Sequence, residues 1–171
     1  MPVTIKQLKN KDFRLHFSAR GISSLQKTKD IYSTDYAQRK RPFTGVLIHY
    51  QPDNKKLDSL STSFSSRKIS AQTANRIQYS THPSAAPLKL TEDYTLTNTG
   101  LIWNIRLDNL SSDPVTIKDL EIPISYNNQG GENAKDIFEQ HVIKHHSIAG
   151  NNSFLFWQRP TGLGPYLLML P

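Results

Sequence analysis

LKLTEDYTLTNTGLIWNIRLDN, residues 88–109, is the stretch that decides the fold of this chain. Its two halves alternate apolar and polar residues on either side of Asn98-Thr99-Gly100, which is a turn sequence. An alternation with a period of two places the apolar side chains of an extended strand on one face. The stretch therefore predicts a β-hairpin with one face against a core.

Short apolar runs separated by turn residues continue on both sides of this hairpin. The clearest are residues 13–17, 21–25, 45–50, 67–70, 76–80, 115–124, 153–157 and 166–170. Several of these runs follow one another at roughly 8–12 residues, a spacing typical of an antiparallel sandwich. Near Asp119 the alternation changes phase, which predicts a β-bulge. Only residues 134–146 show the three- and four-residue spacing of a helix.

The sequence thus predicts an all-β fold, an antiparallel two-sheet β-sandwich, in which the 171 residues form one domain or part of one. The run YLLML at residues 166–170 is typical of a buried strand, and the chain ends one residue later. We therefore expect a sandwich that is truncated at its C-terminal end and that exposes an apolar edge there.

Composition and charge exclude several classes of protein. Without Cys, the chain offers no disulfide scaffold, Cys-ligated zinc site or thiol nucleophile. No apolar run approaches the roughly 20 residues of a membrane span. The net charge of +7 arises in residues 1–60, where 12 Lys and Arg oppose 5 Asp and Glu. Apart from Arg39-Lys40-Arg41 these cations are scattered, which argues against a nucleic-acid partner.

Three histidines, His141, His145 and His146, form the first candidate site. His141 and His145 are four residues apart and would share one face of the predicted helix, a spacing that can bind zinc. Position 142 is Val, so the chain lacks the HExxH motif of metalloproteases. We predict no metal and no cofactor, and two interpretations stay open: histidines of a substrate cleft, or an ordinary polar segment.

Trp157, Arg159 and Tyr166 form the second candidate site, on either side of a glycine-containing turn. Aromatic rings can cover the apolar C–H patches of a sugar, and a guanidinium donates paired hydrogen bonds to hydroxyls or carboxylates. We expect Arg159 beside Trp157 at the mouth of the turn 160–165. The alternatives are that Trp157 is a core residue and that Arg159 only caps the turn.

Paired carboxylates are the third candidate site. Asp119 and Glu121 share one face if their strand is regular, about 7 Å apart, a distance that a glycosidase acid–base pair allows. Asp108 and Asp113 instead belong to ordinary turn sequences. The residues alone therefore assign no catalytic group.

Four groups of segments carry a family resemblance. They are residues 21–25 with 30–36, residues 101–109 with 113–115, residues 119–124, and residues 146–157 with Arg159 and 162–169. Together they resemble the supersandwich domain of proteins similar to galactose mutarotase. The last group resembles a bacterial glycoside-hydrolase-like family of uncharacterised activity, which has such a sandwich at its N-terminal end. The resemblance implies a catalytic (α/α) toroid downstream of this chain.

The resemblance also implies a function. The chain would be a carbohydrate-associated domain of a polysaccharide-degrading enzyme, not catalytic alone, that packs on the catalytic domain. Residues 127–133 and 141–159 would reach a cleft for an oligo- or polysaccharide. The alternatives are a non-catalytic adhesin or carbohydrate-binding module and, less favoured, a mutarotase-like epimerase. Residues 1–6 lack the apolar run of a secretory signal, whereas the resemblance implies a secreted or periplasmic full-length protein.

Overall fold

The computed structural model describes residues 6–31, 34–37, 42–53, 55–62 and 67–125 in full, and residues 144–148, 154–158 and 167–169 as backbone strands. Within these ranges the chain forms thirteen β-strands and no helix, which confirms the predicted all-β class. The strands are β1 Lys6–Lys9, β2 Phe13–Ser18, β3 Gly21–Lys27, β4 Leu47–Pro52, β5 Asp58–Ser61, β6 Lys68–Gln72, β7 Arg76–Thr81, β8 Leu88–Leu96, β9 Leu101–Asn109, β10 Val115–Glu121, β11 Lys144–Ile148, β12 Phe154–Gln158 and β13 Leu167–Met169. None of the described residues belongs to a helix able to cross a membrane.

The strands form four antiparallel sheets, ordered β1-β2-β3, β10-β4-β5, β6-β7-β8-β9 and β11-β12-β13. The predicted central hairpin is β8 and β9, which pair along their whole length from Leu88↔Asn109 to Leu96↔Leu101. The amide of Thr97 donates to the carbonyl of Gly100 at 2.8 Å and closes the turn. The predicted bulge is also confirmed, because the pairing of β10 with β4 shifts between Ile117 and Asp119.

The sheet β6-β7-β8-β9 packs against both of the other fully described sheets. Alternate residues of β8 point inward, and Tyr94 and Leu96 join a hydrophobic cluster with β1, β2 and β3. Leu88 and Leu90, at the other end of β8, join a second cluster with β4 and β5. Trp103 of β9 packs against both clusters. The resulting sandwich therefore has a core of two halves that meet near the middle of β8.

Aromatic rings fill the first half of the core. The ring centroids of Phe17 and Tyr94 are 5.4 Å apart, and those of Tyr79 and Tyr94 are 6.1 Å apart, both edge to face. Trp103 stacks on Tyr94 with the centroids 5.3 Å apart. Such pairs add specific geometry to the burial of apolar area. Tyr94 is thus the ring around which this half is arranged.

The helix predicted over residues 134–146 is wrong at its C-terminal end, because Lys144–Ile148 is the strand β11. β11 pairs with the apolar strand β12, and this pairing overrides the local three- and four-residue spacing. The predicted strands 153–157 and 166–170 are present as β12 and β13. The remainder of the predicted helix and the polar loop 127–133 lie outside the described residues.

Candidate functional site

The six residues predicted to contact carbohydrate all belong to the C-terminal part of the chain. Three of them are described as backbone: His145 and His146 on β11, and Trp157 on β12. The other three, His141, Arg159 and Tyr166, lie outside the described residues, as does the turn 160–165. The expected position of Arg159 therefore stays a prediction.

The strand pairing brings two of these residues together. His145 is the register partner of Trp157, and Trp157 is in turn the partner of Leu167 on β13. His146 pairs with Phe156 in the neighbouring row. A histidine and a tryptophan that are twelve positions apart in the sequence thus lie opposite each other on adjacent strands. Sequence reasoning missed this pairing because it assigned His145 to a helix.

The carboxylates Asp119 and Glu121 lie on the exposed strand β10. Glu121 has an oxygen 3.7 Å from Nε2 of His49, and its side chain is 53% exposed. Asp119 accepts a hydrogen bond from the amide of Leu120 at 2.8 Å. Neither lies in the enclosed environment that tunes a catalytic acid. Among the residues that the structure describes, no three His, Asp or Glu side chains are grouped so that they could hold a metal ion.

An ion pair lies inside the sandwich, between the two halves of the core. Arg67 precedes β6, and Glu92 occupies an inward position of β8; their side chains are 0% and 1% exposed. The Nε atom of Arg67 is 3.2 Å from Oε2 of Glu92, close enough for an ion pair but without the alignment of a hydrogen bond. Sequence analysis did not single out either residue.

Hydrogen bonds around this pair fix its position. Nη2 of Arg67 donates to the carbonyl of Thr44 at 2.7 Å and to the hydroxyl of Thr62 at 2.9 Å. The Tyr94 hydroxyl donates to Oε1 of Glu92 at 3.1 Å and lies 2.9 Å from the Thr44 hydroxyl. Because Tyr94 has one hydroxyl proton, Thr44 is the donor in the second contact. We call these five residues the interior polar cluster.

A glycine makes room for the interior polar cluster. The backbone of Gly21 has a φ of +93°, a value that residues other than glycine rarely adopt. A Cβ atom on Gly21 would overlap Nη1 of Arg67, so the guanidinium would have to shift. Nη1 itself has no hydrogen-bond partner among the described residues. The guanidinium carbon lies 5.9 Å from the centre of the Tyr79 ring, which supplies a cation–π contact.

Burial controls the electrostatics of the cluster. Burial raises the pKa of the Glu92 carboxyl, and Arg67 and the hydrogen bond from Tyr94 oppose that effect. Burial also raises the pKa of the Tyr79 and Tyr94 hydroxyls, so both stay neutral. Since Arg67 and Glu92 are almost completely enclosed, a substrate cannot reach them. The cluster therefore belongs to the interior of the sandwich and not to a ligand site.

An open groove of about 550 Å³ lies on the four-stranded sheet, where β6 begins, β7 ends and β8 begins. It is lined by Lys68, Ser80, Thr81, His82, Pro83, Lys89 and Leu110. The sequence does not reveal this groove, because its residues come from separate strand ends.

For Glu92 the sequence did contain a signal. Glu92 falls in the inward alternation Leu88, Leu90, Tyr94, where a carboxylate needs a buried partner.

Comparison with known proteins defines the fold further. No family model and no curated protein matches the chain. Its structure is similar to that of a solved polysaccharide lyase, with a TM-score of 0.64 over 96% of this chain and 11% sequence identity. The chain spans 24% of the length of that lyase. The β fold of this chain thus also occurs within a carbohydrate-active enzyme.

Proposed function

We propose that this chain is a β-sandwich domain of a polysaccharide-degrading enzyme, with the supersandwich form of proteins similar to galactose mutarotase. The structural likeness to a polysaccharide lyase, which covers 96% of the chain, is the observation that supports the proposal. We propose that the catalytic groups of the enzyme lie in another domain of the same protein. The lyase supports this arrangement because the chain spans only 24% of its length.

The domain is non-catalytic by itself. The fully described part of the chain supports this role, because its buried carboxyl, Glu92, is inaccessible and its paired carboxylates on β10 are exposed. We propose that the domain packs on the catalytic domain and that residues 127–133 and 141–159 reach the substrate cleft. The row that pairs His145 with Trp157 is the backbone feature that supports a contact with carbohydrate.

The test compares the 171-residue chain with the full-length protein. Both are incubated with neutral and acidic polysaccharides, and new reducing ends and the ultraviolet absorbance of unsaturated products are measured, so that hydrolysis and elimination are both detected. We expect depolymerisation by the full-length protein and none by the chain. Depolymerisation or sugar-anomer interconversion by the chain itself would contradict the non-catalytic role, and inactivity of the full-length protein on every polysaccharide would contradict the enzyme assignment.

A variant pair tests the predicted contact residues. In the full-length protein, His145→Ala and Trp157→Ala should each raise the KM for polysaccharide with little change in melting temperature. His49→Ala is the matched control, because the described contact of its imidazole is with Glu121 on the exposed strand β10. Equal effects of His145→Ala and His49→Ala on the KM would refute the role of His145.

A further inference from the structure

The groove on the four-stranded sheet brings two lysines to the same face of the sheet. Antiparallel pairing places the start of β6, the end of β7 and the start of β8 at one end of this sheet. Lys68 is the register partner of Ser80. Since Leu88 and Leu90 point into the core, Lys89 between them points outward, as Ser80 does beside the buried Tyr79. Lys68, Ser80 and Lys89 thus share the outer face.

A histidine completes the polar side of the groove. Nδ1 of His82 lies 3.2 Å from the carbonyl oxygen of Leu88. A carbonyl only accepts hydrogen bonds, so this contact requires the proton on Nδ1 and fixes the orientation of the ring. Nε2, the other ring nitrogen, has no hydrogen-bond partner among the described residues.

The charge in the groove is not balanced by its own lining. Two ammonium groups and the Ser80 hydroxyl supply donors, and no described lining residue is a carboxylate. The register partner of Lys89 is Asp108, but its carboxylate accepts a hydrogen bond from Nε of Arg106 at 3.2 Å. A ligand rich in acceptor oxygens, such as an oxyanion, would therefore find three donors on this face, at Lys68, Ser80 and Lys89.

The groove also has an apolar side, which is formed by Pro83 and Leu110. Leu110 is 55% exposed. Apolar surface beside cationic donors suits a molecule that combines a C–H face with an anionic group. A sugar ring that carries a carboxylate or a sulfate ester has both features. A free inorganic anion would use only the cationic side.

We propose that this groove binds an acidic sugar unit, with its oxyanion at Lys68 and Lys89 and its ring against Pro83 and Leu110. This inference rests on the proposed function and names the class of glycan for a binding site outside the predicted His145–Trp157 region. The carboxylate of a uronate and the sulfate of a sulfated sugar offer the same chemistry to these donors.

The experiment uses the complete 171-residue chain and its double variant Lys68→Gln/Lys89→Gln. Oligogalacturonate, a sulfated oligosaccharide, a neutral galacto-oligosaccharide and inorganic sulfate are titrated by isothermal calorimetry. Lys9→Gln/Lys118→Gln is the matched control, because it removes the same charge from exposed positions on β1 and β10. We expect the groove variant to weaken binding of the acidic oligosaccharides about ten-fold or more, and the control variant to change it little.

Equal losses in the two double variants would overturn the proposal, because they would indicate non-specific attraction to the net charge. Inorganic sulfate that binds as tightly as the acidic oligosaccharides, or acidic oligosaccharides that do not bind at all, would also overturn it. If only the neutral oligosaccharide binds, and both variants bind it equally well, the proposed acidic-sugar site in the groove is refuted, whereas the carbohydrate association of the domain is not. The oligosaccharide that binds more tightly identifies carboxylate or sulfate as the preferred group.

Discussion

Glu92 and Asp93 are neighbours on β8, and they face opposite sides of the same sheet. Each is paired with an arginine. Glu92 meets Arg67 inside the sandwich, where both side chains are almost fully enclosed. Asp93 accepts hydrogen bonds from Nε of Arg76 at 2.8 Å and from its Nη2, and the Arg76 side chain is 44% exposed.

The same pairing chemistry has opposite consequences on the two faces. Burial dominates at Glu92 and raises the pKa of its carboxyl in spite of Arg67. The hydrogen bond from Arg76 dominates at Asp93 and lowers the pKa of that carboxyl, with smaller help from Gln78. Desolvation, and not the identity of the partner, therefore decides whether an ion pair is expensive to disturb.

The largest effect should follow from removal of one member of the buried pair. Arg67→Met leaves the Glu92 carboxylate buried without its counter-charge, and we expect the free energy of unfolding to fall by about 3–5 kcal/mol. Urea denaturation measures this change. The double variant Arg67→Met/Glu92→Leu removes both charges and should recover most of the loss, so a double variant as unstable as the single one would contradict this account.

Gly21→Ala should be the next largest change. The new methyl group needs both an unfavourable φ and the space that Nη1 of Arg67 occupies, so we expect a loss of about 1–3 kcal/mol in the free energy of unfolding. Gly100→Ala is the matched control, because a Cβ there would have no heavy atom within 4 Å. Thermal and urea unfolding that rank the two variants equally would show that Arg67 is not held where the structure has it.

The pH dependence of stability should separate the two carboxyls. The folded protein keeps the Glu92 proton above its ordinary pKa of 4.5, where the unfolded chain has lost it, so the contribution of Glu92 to stability falls as pH rises above that value. Asp93 behaves in the opposite sense, because its pKa lies below the ordinary 3.8: its contribution is present above that value and is lost as pH falls through the lowered pKa.

Two single variants show which carboxyl causes each change of stability with pH. Glu92→Gln should remove the decline of stability towards neutral pH, and Asp93→Asn should remove the loss in acid. Urea midpoints measured across the acid-to-neutral range report both effects. A Glu92→Gln variant that keeps the slope of the wild-type protein above pH 4.5 would show that another group causes it.

The smallest effect should follow from Arg76→Ala. The Arg76–Asp93 pair is open to solvent, where side-chain entropy and screening by salt offset most of the attraction. We expect a loss of stability well below that of Arg67→Met, and one that shrinks further when salt is added to the urea titration. If Arg76→Ala and Arg67→Met lowered the free energy of unfolding by similar amounts, burial would not be what distinguishes the two ion pairs.

The sequence predicts the strands well where the information is local. Residues 88–109 contain their own alternation and their own turn, and the structure confirms the hairpin, because both signals depend on neighbours in the chain. The bulge before Asp119 is visible for the same reason. Residues 144–146 show the limit: their spacing indicates a helix, but pairing with β12 makes them part of a strand.

The candidate sites depend on contacts that the sequence does not display. Arg67 and Glu92 come from different strands, so only the inward position of Glu92 hints that a partner exists. The groove needs the ends of three strands side by side, and none of its residues forms a motif. Of the predicted carbohydrate residues, the backbone brings His145 and Trp157 together, and a role in binding stays a prediction for all six.

The order of the strands also has a consequence for the kinetics of folding. Strands β6 to β9 are consecutive in the chain and adjacent in their sheet, so this meander closes only short loops as it forms. The pairing of β10 with β4 must instead join segments that lie on either side of the entire meander in the sequence. Since distant pairings form slowly, pulse-labelled hydrogen exchange during refolding should find the amides of β8 protected before those of β10. A chain that emerges from the ribosome would therefore pair β6 to β9 before β10 is available, and β4 would lack its β10 partner until that strand emerges.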